Sequence, residues 1–310
     1  MAAASAPRRV VALGGGHGLS RALAALRALD VEPTAVITVA DDGGSSGRLR
    51  QELGVIPPGD LRMALLTLAR NRELAGALSH RFAAGALEGH ALGNLLLVAL
   101  AERAGGDFLA GLAEAERLLD VAGRVLPASL EPVSLHGRIG GRDVSGQVRL
   151  ATAEAPVERV WADPVPPACA AAVEALEQAD AVVLGPGSLF TSIIAALLVP
   201  DLAKALTAVQ APVLYIANVR TQVGETSGLD LAAHVDALFA HVPGLRLDAV
   251  VAHDGPVADA AGEPIPPVLD DPRVGRLVTA DVVARDAEGR PGWGHDADRL
   301  AAALAPLLPR

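Results

Sequence analysis

Val10-Val11-Ala12-Leu13 is an apolar run of strand length that ends in Gly14-Gly15-Gly16-His17-Gly18, and beyond the glycines leucine recurs at positions 19, 23, 26 and 29. Those four leucines lie on one helical face. A strand that turns through glycine straight into a helix reads as the opening of a β-α-β unit with parallel strands. Runs of the same kind follow at Ala35–Ala40, Ala181–Leu184, Val213–Ala217 and Ala249–Ala252. The last three are continuously apolar rather than alternating, as expected where helices cover both faces of the sheet.

Residues Pro58 to Val121 read as mostly helical, with breaks at Gly85–His90 and Gly105–Gly106. The texture changes from Glu131 to Trp161. Val133–Ile139, Gly140-Gly141 and Asp143–Leu150 follow a hairpin pattern, so residues 131–161 are expected to form a small antiparallel insertion. Asp254–Pro272, rich in Pro, Gly and Asp, reads as a long loop, and Leu300–Leu308 as a closing Ala/Leu helix. No internal repeat is visible. The expected fold is a single α/β domain over residues 1–310, with a parallel sheet covered by helices.

Composition narrows the function. A net charge of −10 and only 2% aromatic residues disfavour nucleic acid, which needs clustered cations and stacking platforms. Hydrophobic residues make up 51% of the chain, yet no run approaches the roughly 18 to 20 apolar residues of a membrane helix, so no membrane insertion is expected. The single cysteine, Cys169, permits no intramolecular disulfide and reads as a small buried hydrophobe. The first residues, Met1 to Arg9, lack the charged-then-apolar order of a secretory leader, and a cytoplasmic location is expected.

The glycine loop offers Gly14, Gly15, Gly16, His17 and Gly18 as an anion seat, because backbone N–H groups at a helix start attract phosphate. Leu19 stands where a dinucleotide fingerprint has its third glycine, and no Gly-Lys-Ser/Thr follows. A purely structural turn is the competing reading. Asp41-Asp42-Gly43-Gly44-Ser45-Ser46-Gly47-Arg48 follows the second strand. Asp41 and Asp42 could hold a ribose hydroxyl or a Mg²⁺ ion; Ser45, Ser46 and Arg48, around Gly43, supply donors for phosphate or sugar. Asp60 reads first as a helix N-cap, and Arg62 beside it is unfavourable for the helix dipole unless an anion is near. Asn94 is either a cap or a ligand contact. Gly185-Pro186-Gly187-Ser188 repeats the strand–glycine–helix arrangement and makes a second cradle, with hydroxyls from Ser188 and Thr191. Asn218 follows the next strand. All these segments sit at strand C-termini, where one crevice could collect them.

The eight histidines show no His-x-x-x-His pair and no cysteine partner for a metal, and there is no Gly-x-Ser-x-Gly elbow. An NAD-linked oxidoreductase is a weaker reading, since the third glycine and a hydride-transfer constellation are both missing.

Taken together, Gly14–Gly18, the run from Val39 to Arg50, Pro57–Arg62, Gly89–Asn94, Leu184–Ser192 and Gly224-Glu225-Thr226 resemble the YvcK family of gluconeogenesis factors, within the wider CofD-like superfamily. The likeness runs from Val10 to about Ala252 in the family's order. It implies a three-layer Rossmann-like sandwich with a mostly parallel sheet, and a homodimer whose cleft binds a nucleotide-sugar such as UDP-N-acetylglucosamine. It also implies a regulatory role in cell shape, peptidoglycan synthesis and growth on gluconeogenic carbon, with protein partners in cell-wall regulation and no securely attached catalysis. The alternative is the transferase branch, which joins a phospholactyl group to a deazaflavin precursor with Mg²⁺. Its acidic stretch lacks the uninterrupted Gly-Gly-Ser-Ser-Gly-Arg found here, which favours the regulatory branch. His17 stands where many relatives have Thr. Beyond about Asp254 the match weakens, and Ala297 stands where some relatives carry a hydroxyl residue.

Overall fold

Four successive residues of the first strand, Val10 to Leu13, are at most 1% exposed, so both faces of the strand are covered. A computed structural model describes residues 7–309; Met1 to Ala6, on which much of the leader reading falls, and Arg310 lie outside the described residues. Strands β1 (Arg8–Gly14), β2 (Val31–Ile37) and β3 (Arg124–Pro127) come first, followed by β4 (Leu135–Ile139), β5 (Arg142–Ser145) and β6 (Val157–Ala162). Then come β7 (Ala181–Leu184), β8 (Val213–Ile216), β9 (Ala249–His253), β10 (Leu277–Ala280), β11 (Val283–Arg285) and β12 (Pro291–His295). Seven of these form one parallel sheet in the order β10-β9-β8-β7-β1-β2-β3. The chain builds outward from β1 to β3, then returns to place β7 on the other side of β1. That reversal opens a crevice at the C-terminal ends of β1 and β7, where ligands bind in open α/β sheets.

Helices cover the sheet: α1 (Gly16–Arg27), α2 (Gly44–Leu53), α3 (Gly59–Leu68), α4 (Arg72–Ser79), α5 (Leu92–Arg103) and α6 (Phe108–Leu119) in the first half. The second half adds α7 (Gln147–Ala151), α8 (Ala170–Glu177), α9 (Ala195–Leu197), which continues a π-helical stretch over Leu189–Ile194, α10 (Pro200–Ala208), α11 (Leu231–His241) and α12 (Ala297–Leu304). In α1 three of the four predicted leucines, Leu19, Leu23 and Leu26, are at most 1% exposed, whereas Leu29 lies beyond the helix, which ends at Arg27, and is only partly buried. Cys169 is buried and free.

The antiparallel insertion forms, with β4 at its centre between β5 and β6. Its tip is Gly140-Gly141 with φ of 56° and 71°, the left-handed pair a two-residue hairpin turn needs. The second arm ends at Ser145 rather than running to Leu150, because residues 147–151 turn helical under a cap described below. The second sheet strand also begins earlier than its apolar run, at Val31, with Glu32 and Pro33 obscuring its start, and leaves the sheet after Ile37. Strands β3, β6, β10, β11 and β12 are additions to the sequence reading, β6 making the expected hairpin three-stranded.

Among the described residues no single helix is long and apolar enough to cross a membrane. The loop over residues 254–272 is irregular as expected, and Arg220 pins it by donating to the carbonyls of Ala258, Ala260 and Gly262.

Candidate functional site

Leu13 pairs with Leu184 in register, so Gly14 and Gly185 leave the sheet side by side. The two glycine loops then press backbone against backbone. A Cβ at Gly18 would stand 2.5 Å from the Pro186 carbonyl oxygen and 2.6 Å from the Gly187 Cα, which explains glycine there by contact alone. Of the segments predicted to share one crevice, the two glycine loops meet here, side by side at the switch point between β1 and β7.

Each loop carries its own anion. The Gly16 amide, opening α1, donates to Asp60 Oδ2 at 2.9 Å. Asp60 is therefore no N-cap of its own helix, whose cap position is Pro58; it reaches across to the first turn of α1. A Cβ at Gly15 would lie 2.4 Å from the same oxygen, so the carboxylate fills the space over the loop. Burial and the neighbouring Asp41 charge push the Asp60 carboxyl up to about 7, against the Gly16 hydrogen bond and Arg62, which pull it down. His17 is exposed at the rim.

In the second loop Glu225, fully buried, accepts from the Phe190 and Thr191 amides at 2.8 and 3.0 Å through Oε1. Its Oε2 accepts from the Thr191 hydroxyl at 3.0 Å, so Thr191 is engaged with protein. Burial holds this carboxyl above the usual carboxylate range. Glycine at 224 is required, because φ is +86° and a Cβ would fall 1.8 Å from the Ala153 carbonyl oxygen. Asn218 brackets Gly187, accepting from its amide at 3.3 Å and donating to its carbonyl at 2.8 Å. Gln222 donates to the Ser188 hydroxyl oxygen at 2.9 Å.

The Asp41–Arg48 run divides its labour. Asp41 Oδ1 accepts from the Gly43 amide, leaving Oδ2 facing Gly59 and Asp60. Asp42 turns the other way: its two oxygens accept from the Gln147 and Val148 amides, each at 2.9 Å. It thus caps the short helix α7 of the insertion. Ser46 accepts from the Gly59 amide at 3.0 Å and ties α2 to α3.

Ser45, Asn94, Arg62 and His90 form a buried relay. Arg62 Nε donates to Asn94 Oδ1 at 2.8 Å, which fixes the amide, so Asn94 Nδ2 donates to Ser45 Oγ at 3.0 Å. The Ser45 hydroxyl proton is then directed to His90 Nδ1, 3.0 Å away. Burial and the charges of Arg48 and Arg81 lower the His90 pKa, in keeping with a neutral ring. Asn94 is not a cap: α5 begins one turn earlier, after Ala91. His90 and Arg81 were missed as site candidates. His90 was signalled by its place in Gly89-His90-Ala91-Leu92-Gly93-Asn94, whereas nothing in the sequence around Arg81 marks it.

A groove of about 640 Å³ lies between α8 and α10, lined by alanines with Glu174, Glu177, Asp201 and Lys204. Its residues reach the N-terminal ends of β7 and β8, away from the strand ends that carry the loops. Among the described residues no group of three or more His, Cys, Asp or Glu is arranged to hold a metal.

The sequence profile described as 2-phospho-L-lactate transferase CofD matches residues 10–267. The chain belongs to the CofD family. Among its relatives, the gluconeogenesis factor of Halalkalibacterium halodurans is 39% identical over 98% of this chain and 97% of its own length. A Mycobacterium tuberculosis protein named "Putative gluconeogenesis factor" is 44% identical over 95% of this chain and 89% of its own length. A Deinococcus radiodurans protein of the same name is 42% identical over 96% of this chain, which spans 66% of that longer protein. The crystal structure of a UPF0052-family protein from Bacillus halodurans superposes with a TM-score of 0.88 at 37% identity, covering 97% of this chain and 100% of that one. The match to the CofD profile spans both glycine loops and the Asp41–Arg48 run. In this CofD-family chain the profile ends at residue 267, but the relatives align over 95 to 98% of the chain, so the likeness continues past Asp254.

Proposed function

We propose that this CofD-family chain binds a nucleotide-sugar of the UDP-N-acetylglucosamine kind at the C-terminal ends of β1, β2 and β7, and reports its level without turning it over. The observation that carries the reading is the meeting of the two glycine loops at the strand ends with a guanidinium held nearby. Arg62 of α3 is aimed by Asn94 of α5, which is itself tied to Ser45 of α2, and keeps N–H donors unused. A cation held in this way suits a phosphorylated sugar. The relatives' name, gluconeogenesis factor, is in keeping with a regulatory role in carbon supply. A homodimer in the cytoplasm with cell-wall regulatory partners belongs to the same proposal.

Titration calorimetry with UDP-N-acetylglucosamine tests it. Saturable binding is expected, weakened about tenfold or more in Arg62→Ala by loss of a charge-assisted contact. The ligand should be recovered intact after incubation with Mg²⁺. Absence of any binding to the wild type would overturn the reading.

One observation favours a second reading, a Mg²⁺-dependent transferase of the phospholactate type. Asp41 Oδ2 lies against Gly59, the residue before Asp60, Asp60 Oδ2 lies against Gly15, and the Asp41 charge raises the proton affinity of Asp60. Two hard oxygen ligands of this kind fit Mg²⁺, whereas Asp42 does not, its oxygens being taken by α7. Asp41 and Asp60 would hold the ion, which would supply neutralisation of phosphate charge. A turnover assay with a deazaflavin precursor and nucleotide-activated phospholactate decides: product formation supports it, and its absence at high protein concentration rejects it.

A further inference from the structure

The glycine loops were the natural seats for a phosphate, yet the amides at their helix starts are already committed. Gly16 donates to Asp60, and Phe190 and Thr191 donate to Glu225. A ligand phosphate placed there would have to displace a carboxylate or sit beside it. Anion recognition needs positive charge from elsewhere.

Three guanidinium groups gather on one stretch of chain, residues 88–94. Arg48, from α2, donates to the Glu88 carbonyl. Arg81 donates to the next carbonyl, that of Gly89. Arg62, from the first turn of α3, donates through Nε to Asn94, and its Cδ would lie 2.8 Å from a Cβ at Gly93. Gly89 lets Arg48 in closely: a Cβ there would sit 3.0 Å from Arg48 Nη2. Each guanidinium carries five N–H donors, and these contacts use few of them. None of the three forms an ion pair with a carboxylate among the described residues. The acids that act on the group from further off are Asp60, on Arg62, and Glu52, on His90. His90, in the middle, adds no positive charge, since its Nδ1 accepts from Ser45. Three like charges held together with unused donors and no paired carboxylate destabilise the free protein and are relieved by a dianion.

We propose that Arg48, Arg62 and Arg81 are the seat of the diphosphate of the bound nucleotide-sugar, and that the glycine loops serve packing and self-capping instead. Arg81 is thereby a binding residue and Asn94 a positioning residue that aims Arg62. The inference rests on the nucleotide-sugar reading only for the identity of the ligand; the anion site stands on the arginines.

Calorimetry on wild type, Arg81→Gln, Arg48→Gln and the exposed hairpin control Arg142→Gln, each with UDP-N-acetylglucosamine, inorganic pyrophosphate and uridine, tests it. Arg81→Gln and Arg48→Gln are each expected to lose about tenfold or more in affinity for the first two ligands, and to show a shallower dependence on NaCl. Uridine binding and the control variant should be unchanged. Arg81 is exposed, so its replacement leaves the fold intact, which the melting temperature checks; Arg81→Lys should recover part of the loss. Undiminished UDP-N-acetylglucosamine binding by both glutamine variants overturns the proposal while leaving the nucleotide-sugar reading in place. Pyrophosphate bound through the arginines with no nucleotide-sugar binding does the reverse. A wild type that binds neither overturns both.

Discussion

Asp60 and Glu225 do the same job on the two sides of the crevice, and they do it under different conditions. Each brings a carboxylate from a distant segment to the amides that open a helix. Glu225 is sealed: it is fully buried, both of its oxygens are used, and it joins two amides and a hydroxyl. Asp60 makes one such bond, stands beside a second carboxylate and an arginine, and is only partly buried. The contrast separates a structural staple from an adjustable group. A carboxyl poised near neutral pH and only partly buried can respond to an arriving anion, whereas one locked by three hydrogen bonds cannot.

The largest test of this contrast is Glu225→Ala. It strands two buried amides and the Thr191 hydroxyl, and should cost on the order of 5 kcal/mol in urea unfolding. Glu225→Gln keeps an acceptor for both amides and should stay within about 1 kcal/mol of wild type. Equal losses in the two variants would mean that charge, not hydrogen bonding, holds the second loop.

Asp60→Asn should do the opposite. The folded protein holds the Asp60 proton up to about 7, whereas the unfolded chain releases it near 3.8. Ionising Asp60 therefore opposes folding: the cost is absent below the lower value, grows between the two, and is complete above the higher. Asparagine keeps an acceptor for Gly16 and removes that cost, on the order of 4 kcal/mol at full size. Denaturation at about pH 8 should find the variant more stable, with the gap closing towards about pH 4. A gap that does not change with pH would place the Asp60 carboxyl in its ordinary range.

The contrast between the carboxylates was not legible in the sequence, although the loops were. Strand, glycine and helix are local in the chain, so Gly14–Gly18 and Gly185–Ser188 could be read directly. What fills the loops comes from Asp60 and Glu225, separated from their amide partners by 44 residues and by 34 to 35. Only packing brings them together. The same holds for Asp42, read as a ligand of sugar or metal from its neighbours but spent on helix α7, 105 residues away. Strand β3 escaped because four residues ending in Pro127 carry no periodicity, and its pairing with β2 is decided by the sheet. The parallel core strands were legible because burial on both faces leaves an uninterrupted apolar run.

Within the first loop, neighbouring glycines should behave differently. Gly18→Ala drives a methyl group into the Pro186–Gly187 backbone, where neither side can yield, and should cost about 3 kcal/mol. Gly16→Ala meets nothing within 4 Å and suffers only its positive φ of 66°, which should cost about 1 kcal/mol. Thermal melts of the two variants compare contact with conformation directly. If Gly16→Ala were the worse of the two, the loops would not be in the backbone contact that joins them at the switch point.

Asp42→Ala is the smallest effect and bears on the insertion. Asp42 sits beside Asp41 in sequence, yet its carboxylate turns from the crevice to cap a helix of only five residues. Removing a cap of this kind should cost about 1 to 2 kcal/mol. The damage should be local, because a five-residue helix has little hydrogen bonding of its own to fall back on. Hydrogen exchange should quicken at residues 147–151 while the amides of β1 and β7 keep their protection. Asp42→Asn retains one acceptor and should show about half the loss. Nucleotide-sugar affinity should hold in both variants, since the side chain faces the insertion. Loss of binding with unchanged exchange at 147–151 would show instead that Asp42 touches the ligand and that the division of labour between the two aspartates is wrong.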